Sequence, residues 1–435
     1  MSYIFGGLHI MGNPAITVVL TVCDRPFNFV KQAVDGILNQ TFKEFELYII
    51  NNSSIATLEL DNWINGLNDY RISYIKLEKH TEFCKEYARK IFSLGTSEYI
   101  IWTHDDDIMQ KEMLEREKGV LDSDENIAMV SPCVKFIDAE GNIIYKTPDI
   151  KEDKVYKRWS YINQFLLRSK DFIDFSTPAI LFRRQYINRA LDEISSKKCG
   201  FNTSVDALYK LCINTYQCKM YVIKDKLYYY RLHEMQGSVY ANYESWKYML
   251  DYVKDYLLEY VKKGYVLEDK YNSYFKWVQN YCNRLCFSKK LDDKIIGLIG
   301  TDISETKTKC KDTYSLWKDK YKVPGYMSVK GCFLRVEYLV KMHKKEYLLW
   351  GTGSGSEHAK TIIDYLVPEM VCVGYIDSYK TGTKDGLNIY LASDYKFDNT
   401  KYIIVAATTA ENDIDIFLQE KGLKQIEDYM PQFLI

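Results

Sequence analysis

Three consecutive carboxylates, Asp105, Asp106 and Asp107, follow the apolar run EYIIWT (98–103). Like charges this close repel one another, which costs stability unless a cation neutralises them. Hard oxygen ligands suit Mg2+ or Mn2+, and those ions usually leave coordination positions open for a diphosphate. A strand end, a carboxylate pair and a hard cation together point to the handling of a nucleotide diphosphate. The competing reading is a helix start. Asp favours the N-cap and first turn, and IMQKEMLEREKGVL follows with helical character. A second chemical signal lies at GTGSGS (351–356), between YLLW (347–350) and a helical stretch. Glycines let the backbone approach a phosphate at a helix N-terminus. Gly351, Gly353 and Gly355 have the spacing GxGxG rather than GxGxxG, because residue 356 is Ser. Asp377 lies 26 residues after Gly351, near the distance at which an acidic residue holds a ribose in dinucleotide folds.

The elements that must position these residues are legible from hydrophobic spacing. ITVVLTV (16–22) is a continuous apolar run of the kind buried in parallel sheets. FNFVKQAVDGIL (27–38) has helical spacing, and ELYIIN (46–51) is the next strand. SYIKL (73–77) and EYIIWT (98–103) are further strands, with a helix over roughly 81–94 between them. Strands alternating with helices predict an α/β fold with a mainly parallel sheet flanked by helices. Ligands bind such sheets at the carboxyl ends of the strands. That directs attention to Cys23-Asp24-Arg25, Asn51-Asn52-Ser53-Ser54 and His104-Asp105-Asp106-Asp107. The pattern continues with IAMVSP (127–132), TPAILFRR (177–184), a helical stretch near 204–214 and MYVIKDKLYYYRLH (220–233). We divide the chain into an α/β domain over 1–240, a helical connector over 241–342 and a second, small Rossmann-like α/β domain over 343–435. In the last, YLLW, VCVGYID (371–377) and YIIVAAT (402–408) are strands, and the final helix covers roughly 411–422.

Composition narrows the function. The chain has 435 residues, with 58 Lys and Arg against 59 Asp and Glu. The formal net charge of -1 lacks the electrostatic footprint of a general nucleic-acid binder. The 11 cysteines lack the paired spacing of a disulfide framework, so buried thiols in a reducing cytosol are the expectation. Cys282 and Cys286 supply only two of the four ligands a structural zinc needs. MSYIFGGLHIMGN has no basic n-region and no long apolar h-region, so no signal peptide is expected. No stretch approaches the ~18 apolar residues of a membrane span. A cytoplasmic enzyme, with room for peripheral contact at the inner face of the membrane, fits these features.

The ordered set of motifs resembles a family 2 glycosyltransferase of the GT-A fold over residues 16–240. TVCDRPFNFVKQAVDGILNQTFKEFELYIINNSS is similar to that family's first strand, helix, turn and base-binding loop. EYIIWTHDDDIM is similar to its DxD-type segment, and TPAILFRR to its acceptor-side strand. VDALYKL followed by YYYRLHEMQGS resembles its catalytic helix and closing segment. The resemblance implies that Thr21, Asp24 and Arg25 surround the nucleotide and that Asn51 faces the base. It implies that Asp105, Asp106 and Asp107 bind ribose and Mn2+ or Mg2+, with Asp107 the direct ligand. His233 would complete the metal or diphosphate site, and Asp206 would be the general base of an inverting transfer. The donor implied is a nucleotide sugar. The acceptor is a glycan, lipid-linked or protein substrate in bacterial surface-glycan or glycoprotein assembly. The family commonly has Asp at the base-binding position, where this chain has Asn51 or its neighbour Asn52. An amide can accept or donate, so UDP, preferred, stands beside dTDP and CDP. Val205 stands where Glu often precedes the catalytic Asp.

Two other functions compete. An NAD(P)-dependent or other nucleotide-binding sugar-modifying enzyme could be centred on GTGSGS, although no Tyr-x-x-x-Lys or catalytic His arrangement accompanies that motif. A non-catalytic scaffold with a decayed transferase site is the other, with Asn51 its only hint.

Overall fold

The computed structural model describes residues 4–5, 14–55, 57–81, 85–145, 150–167, 172–196, 205–233, 243–300, 326–342, 344–398, 400–407 and 411–433. The chain divides into two compact units, Met1–Gln279 and Asn280–Ile435.

The strands of the first unit are β1 (Ile4–Phe5), β2 (Ile16–Val22), β3 (Phe45–Asn51), β4 (Ile72–Lys76), β5 (Tyr99–His104), β6 (Ile108–Met109), β7 (Ile127–Ile137), β8 (Ile143–Tyr145), β9 (Lys154–Tyr156), β10 (Leu181–Arg183) and β11 (Lys219–Arg231). Its helices are α1 (Phe27–Leu38), α2 (Leu58–Gly66), α3 (Lys85–Phe92), α4 (Met113–Ser123), α5 (Ser160–Leu167), α6 (Arg184–Ser196), α7 (Val205–Asn214) and α8 (Tyr243–Lys262). The unit boundary falls inside α9 (Glu268–Ile299).

Among the described residues the strands of this unit form one mixed sheet in the order β1-β4-β3-β2-β5-β10-β7-β11-β6. β2 to β5 are mutually parallel, in the succession β4-β3-β2-β5. The chain therefore builds outward from β2 on one side and then crosses to place β5 on the other. The crevice where strand order reverses, beyond the carboxyl ends of β2 and β5, is the natural ligand position in an open α/β sheet. β2 has no polar residue but Thr17 and Thr21, and it is buried on both faces. α1 buries Phe29, Val30, Ala33, Val34 and Ile37, the one-sided spacing of a helix laid on a sheet. The segment TPAILFRR is a strand only over Leu181–Arg183, and it runs antiparallel to both β5 and β7. Its first residues form a 3-10 turn instead, because Pro178 has no N–H for a sheet ladder.

One core residue breaks the pattern. Glu117 lies on the buried face of α4 with Met113, Leu114 and Leu121. It is 0% exposed, and among the described residues neither carboxyl oxygen has a well-formed hydrogen bond. Burial pushes its carboxyl well above the ordinary value, with only the nearby Leu181 amide acting against it. A pKa raised on folding means this group costs least below its unfolded value of 4.5. The cost then grows as pH rises toward the folded pKa. Glu117→Met is expected to stabilise the protein at neutral pH by about 1–3 kcal/mol. The gain should shrink as pH falls toward 4.5. Thermal melts across that range check it, and a variant that is less stable at pH 7 refutes it.

In the second unit, α10 (Tyr326–Lys341) precedes β12 (Glu346–Trp350), α11 (Ser354–Leu366), β13 (Val371–Asp377), β14 (Gly382–Lys384), β15 (Leu387–Leu391), β16 (Tyr402–Val405), α12 (Glu411–Glu420) and β17 (Tyr429–Met430). The sheet order is β14-β15-β13-β12-β16-β17. β12 is parallel to both β13 and β16, so strand order again reverses beside the first strand, where GTGSGS sits. This is the second, small Rossmann-like sheet. Among the described residues no helix is long and apolar enough to cross a membrane.

Candidate active site

The three carboxylates lie at the switch point of the first sheet, just past the end of β5, and all three are buried. Each is held by different neighbours. The Cys23 N–H, just past β2, donates to Asp105 Oδ2 at 2.8 Å. Arg25 Nε lies 3.2 Å from Asp106 Oδ2 and 3.5 Å from Asp105 Oδ1. His233 Nε2 is 2.9 Å from the same Asp106 oxygen. Asp107 accepts the Tyr228 hydroxyl at 3.0 Å and the Arg231 N–H at 2.7 Å. The end of β11 thus closes over the end of β5.

Electrostatics separates the three. Burial and the charge of Asp106 push Asp105 up to about 8. Burial, again with the charge of Asp106, pushes Asp107 well above the usual carboxylate range. Burial opposes ionisation of Asp106 as well. The His233 hydrogen bond and the charges of His104, Arg25 and His233 outweigh it and bring Asp106 to about 2. Burial and mutual repulsion therefore disfavour the ionised forms of Asp105 and Asp107, while Asp106 stays ionised.

A divalent cation would offset this repulsion and favour the ionised carboxylates. His104, Asp106 and Asp107 each offer one ligand atom, and these atoms lie within 4.8 Å of one another. The carboxylate oxygens suit Mn2+ or Mg2+, and the imidazole nitrogen favours Mn2+ of the two. The expected metal set was Asp107, Asp105 and His233. The geometry instead gathers His104 with Asp106 and Asp107. Asp105 turns to Cys23 and Arg25, while His233 holds Asp106. The signal for His104 was its place as the last residue of the strand, three residues before Asp107 and facing the same crevice.

The other expected nucleotide residues organise loops. Asp24 has a left-handed backbone, with φ at 52°. Its carboxylate accepts the Ser54 N–H at 2.8 Å, the Ser54 hydroxyl at 2.5 Å and the Ile55 N–H at 3.3 Å. Burial raises its pKa, but those donors outweigh burial and lower it. Asp24 thereby ties the loop after β2 to the loop after β3. Asn51 is 2% exposed. Its amide donates to Tyr74 Oη and Thr57 Oγ1, both at 2.7 Å, and accepts the Ser53 N–H at 3.1 Å. The side chain is spent inside the fold. Asn52 pairs with both backbone groups of Thr81 at 2.7 Å. Thr21 Oγ1 accepts Trp102 Nε1 at 3.0 Å.

Arg231 stands in the closing segment YYYRLHEMQGS with no role assigned from the sequence, and it is central in the structure. It is 0% exposed. Its guanidinium donates to the carbonyls of Asp106 (2.7 Å), Asp138 (3.0 Å) and Ala139 (2.9 Å), and to Gln32 Oε1 at 2.5 Å. It also lies 4.4 Å from the centre of the Phe29 ring.

Asp206 is the second residue of α7; its side chain lies outside the described residues. The rest of that helix is firmly held. Lys210 Nζ donates to Asp174 Oδ1 at 3.1 Å and Phe175 O at 3.0 Å. Asn214 Nδ2 donates to Lys157 O at 3.1 Å. The side chains of Cys282 and Cys286 also lie outside the described residues.

In the second unit, Gly351 has φ at 112°, a conformation costly for any other residue. Gly353 caps α11, and Gly355 lies in its first turn. Asp377 Oδ2 accepts the Thr352 hydroxyl at 2.8 Å, and its Oδ1 accepts the Tyr379 N–H at 2.9 Å. Asp377 therefore holds the glycine turn against β13.

Residues 17–190 match the family model described as glycosyl transferase family 2. The chain is 25% identical over 189 residues to an uncharacterized glycosyltransferase of Methanocaldococcus jannaschii, covering 37% of this chain and 63% of that protein. The chain thus spans under two thirds of that curated relative's length. Among solved structures, S. aureus TarS 1–349 in complex with UDP-GlcNAc matches at TM-score 0.41 and 14% identity, covering 54% of this chain and 64% of that one. The same protein in complex with UDP matches at TM-score 0.39 and 16% identity, covering 54% and 64%.

Proposed function

Residues 17–190 belong to glycosyltransferase family 2, and from that premise we propose that the chain transfers a sugar from a nucleoside-diphosphate sugar to a glycan, lipid-linked or protein acceptor, with inversion and with Mn2+ or Mg2+. The observation that carries this reading is the group of buried Asp106 and Asp107 with half-buried His104 at the switch point of the sheet. A divalent cation there would neutralise charge on the departing diphosphate. The chain's own residues supply the rest. Arg25 and His233 keep Asp106 ionised. Tyr228 and the Arg231 N–H fix the orientation of Asp107. Asp24 and Asn51 hold the loops that border the nucleotide. Asp206 accepts the proton of the acceptor hydroxyl, as an inverting displacement requires of one base. A UDP-sugar is the first donor to test, and assembly of a bacterial surface glycan or glycoprotein is the setting we infer.

The test is a thermal-shift panel crossing UDP, dTDP, CDP and GDP with Mn2+, Mg2+ or EDTA, with NAD(P) as the competing ligand. A nucleotide at a hundredfold excess over its Kd should stabilise by about 2.7 kcal/mol. That shift should appear with one nucleotide and require metal. Asp107→Ala should remove the metal-dependent part of it. An equal shift in EDTA, or equal loss in the variant with and without Mn2+, defeats the metal assignment. A shift with NAD(P) alone moves the chemistry to the second unit.

A further inference from the structure

An open cavity of about 610 Å3 lies on the first unit, lined by Arg116, Lys135, Lys151, Lys224 and Lys226 together with Glu112 and Asp225. Among the described lining residues, five cationic side chains stand beside two carboxylates. The chain as a whole carries a formal net charge of -1, so this concentration does not follow from composition. The cations come from separate parts of the fold. Arg116 is on α4, Lys135 on β7, and Lys224 and Lys226 on β11. Lys151 is on the loop before β9. That loop is fixed against β11. Asp153 accepts the Lys224 N–H at 2.9 Å and the Tyr221 hydroxyl at 2.7 Å, and β9 then pairs with β11 directly. Arg116 is 2.7 Å from Asp225, so these two cancel and the lysines dominate.

Like charges on a concave wall reinforce one another, because low-dielectric walls focus the field. We propose that this cavity binds a phosphate-bearing ligand. Along the described lining, positive side chains outnumber negative ones. A phosphate group offers about two negative charges and several strong acceptor oxygens that separate ammonium groups can reach together. The cavity and the acidic site share β11: Leu227 lines the cavity, and the next residue, Tyr228, donates to Asp107. Lys224 to Tyr228 spans about 13 Å of strand. The site stands on its own charge and shape, independent of glycosyl transfer.

The experiment measures binding of tripolyphosphate by calorimetry, and co-sedimentation with vesicles of phosphatidylglycerol or of phosphatidylcholine. EDTA is present throughout, so that metal at the acidic site contributes nothing. The full chain should bind tripolyphosphate or phosphatidylglycerol vesicles. Lys151→Glu with Lys224→Glu should weaken that binding about tenfold or more. Lys90→Glu with Lys276→Glu, which changes total charge equally at exposed positions outside the cavity, should stay within about twofold of the unsubstituted chain. Circular dichroism confirms that each variant is folded. Tripolyphosphate binding identifies a soluble phosphate as the ligand. Binding to phosphatidylglycerol vesicles alone identifies a lipid headgroup. Binding of neither probe, or equal behaviour of the two double variants, overturns the proposal.

Discussion

Asp206→Asn is expected to lower kcat by a factor of about 10² to 10⁴ while donor affinity stays within about twofold. The substitution keeps size and polarity, but an amide does not accept a proton at neutral pH. It sits in the first turn of α7. The described part of that helix is buried from Leu208 onward and anchored through Lys210 and Asn214, so the change should not displace it. The split between kcat and donor binding is what distinguishes a base from a structural Asp. A base acts on the acceptor's proton, and its loss is felt only in the transition state. Loss of a helix-start carboxylate would instead lower stability by about 1 kcal/mol and leave turnover largely intact. Wild-type kcat in Asp206→Asn would remove this residue from the mechanism. A matched loss of donor affinity would place it in nucleotide binding instead.

The parts of the fold that were legible in the sequence are those written as buried apolar runs. β2, β3 and β5 have little but branched and aromatic residues, and a strand buried on both faces has little choice of composition. Their carboxyl ends then located the acidic cluster before any geometry was known. What was not legible is how each polar residue at those ends is spent. Asn51 and Asp24 occupy the positions at which a nucleotide contact was expected. The structure uses their hydrogen-bonding capacity on Tyr74, Thr57, Ser53, Ser54 and Ile55. Sequence gives the donors and acceptors a residue carries, but not which partners a tertiary fold brings within 3 Å. His104 and Arg231 lay within segments the sequence singled out but received no role of their own, for the same reason. His104 joins the carboxylates through strand geometry, and Arg231 through a contact between residues more than a hundred positions apart. Glu117 was legible in principle, because its spacing from Met113, Leu114 and Leu121 places it on the apolar face of its helix.

Arg231→Met is expected to cost about 3–5 kcal/mol of stability, a fall in Tm on the order of 10 °C for a unit of this size. The argument rests on what the guanidinium leaves behind. It is the donor to three backbone carbonyls and to Gln32, and a thioether replaces none of those hydrogen bonds. Each buried acceptor left unpaired costs about 1–3 kcal/mol, partly relieved where water enters. Its charge also matters. Burial works against the Arg231 cation and lowers its pKa, while the carboxylates of Asp107, Asp106 and Glu140 act in the opposite direction. Removing it leaves Arg25 as the guanidinium in contact with the acidic cluster, so repulsion among Asp105, Asp106 and Asp107 grows. This second effect has a signature that simple loss of packing lacks. Added Mn2+ should recover more stability in Arg231→Met than in the unsubstituted protein, because the ion replaces a missing positive charge. Arg231→Lys keeps the charge without the planar fork. It should therefore retain the smaller Mn2+ response of the parent while losing most of the hydrogen-bonding contribution. An Arg231→Met variant as stable as the parent would refute the keystone role. A variant that is unstable but gains nothing extra from Mn2+ would confine Arg231 to a structural one.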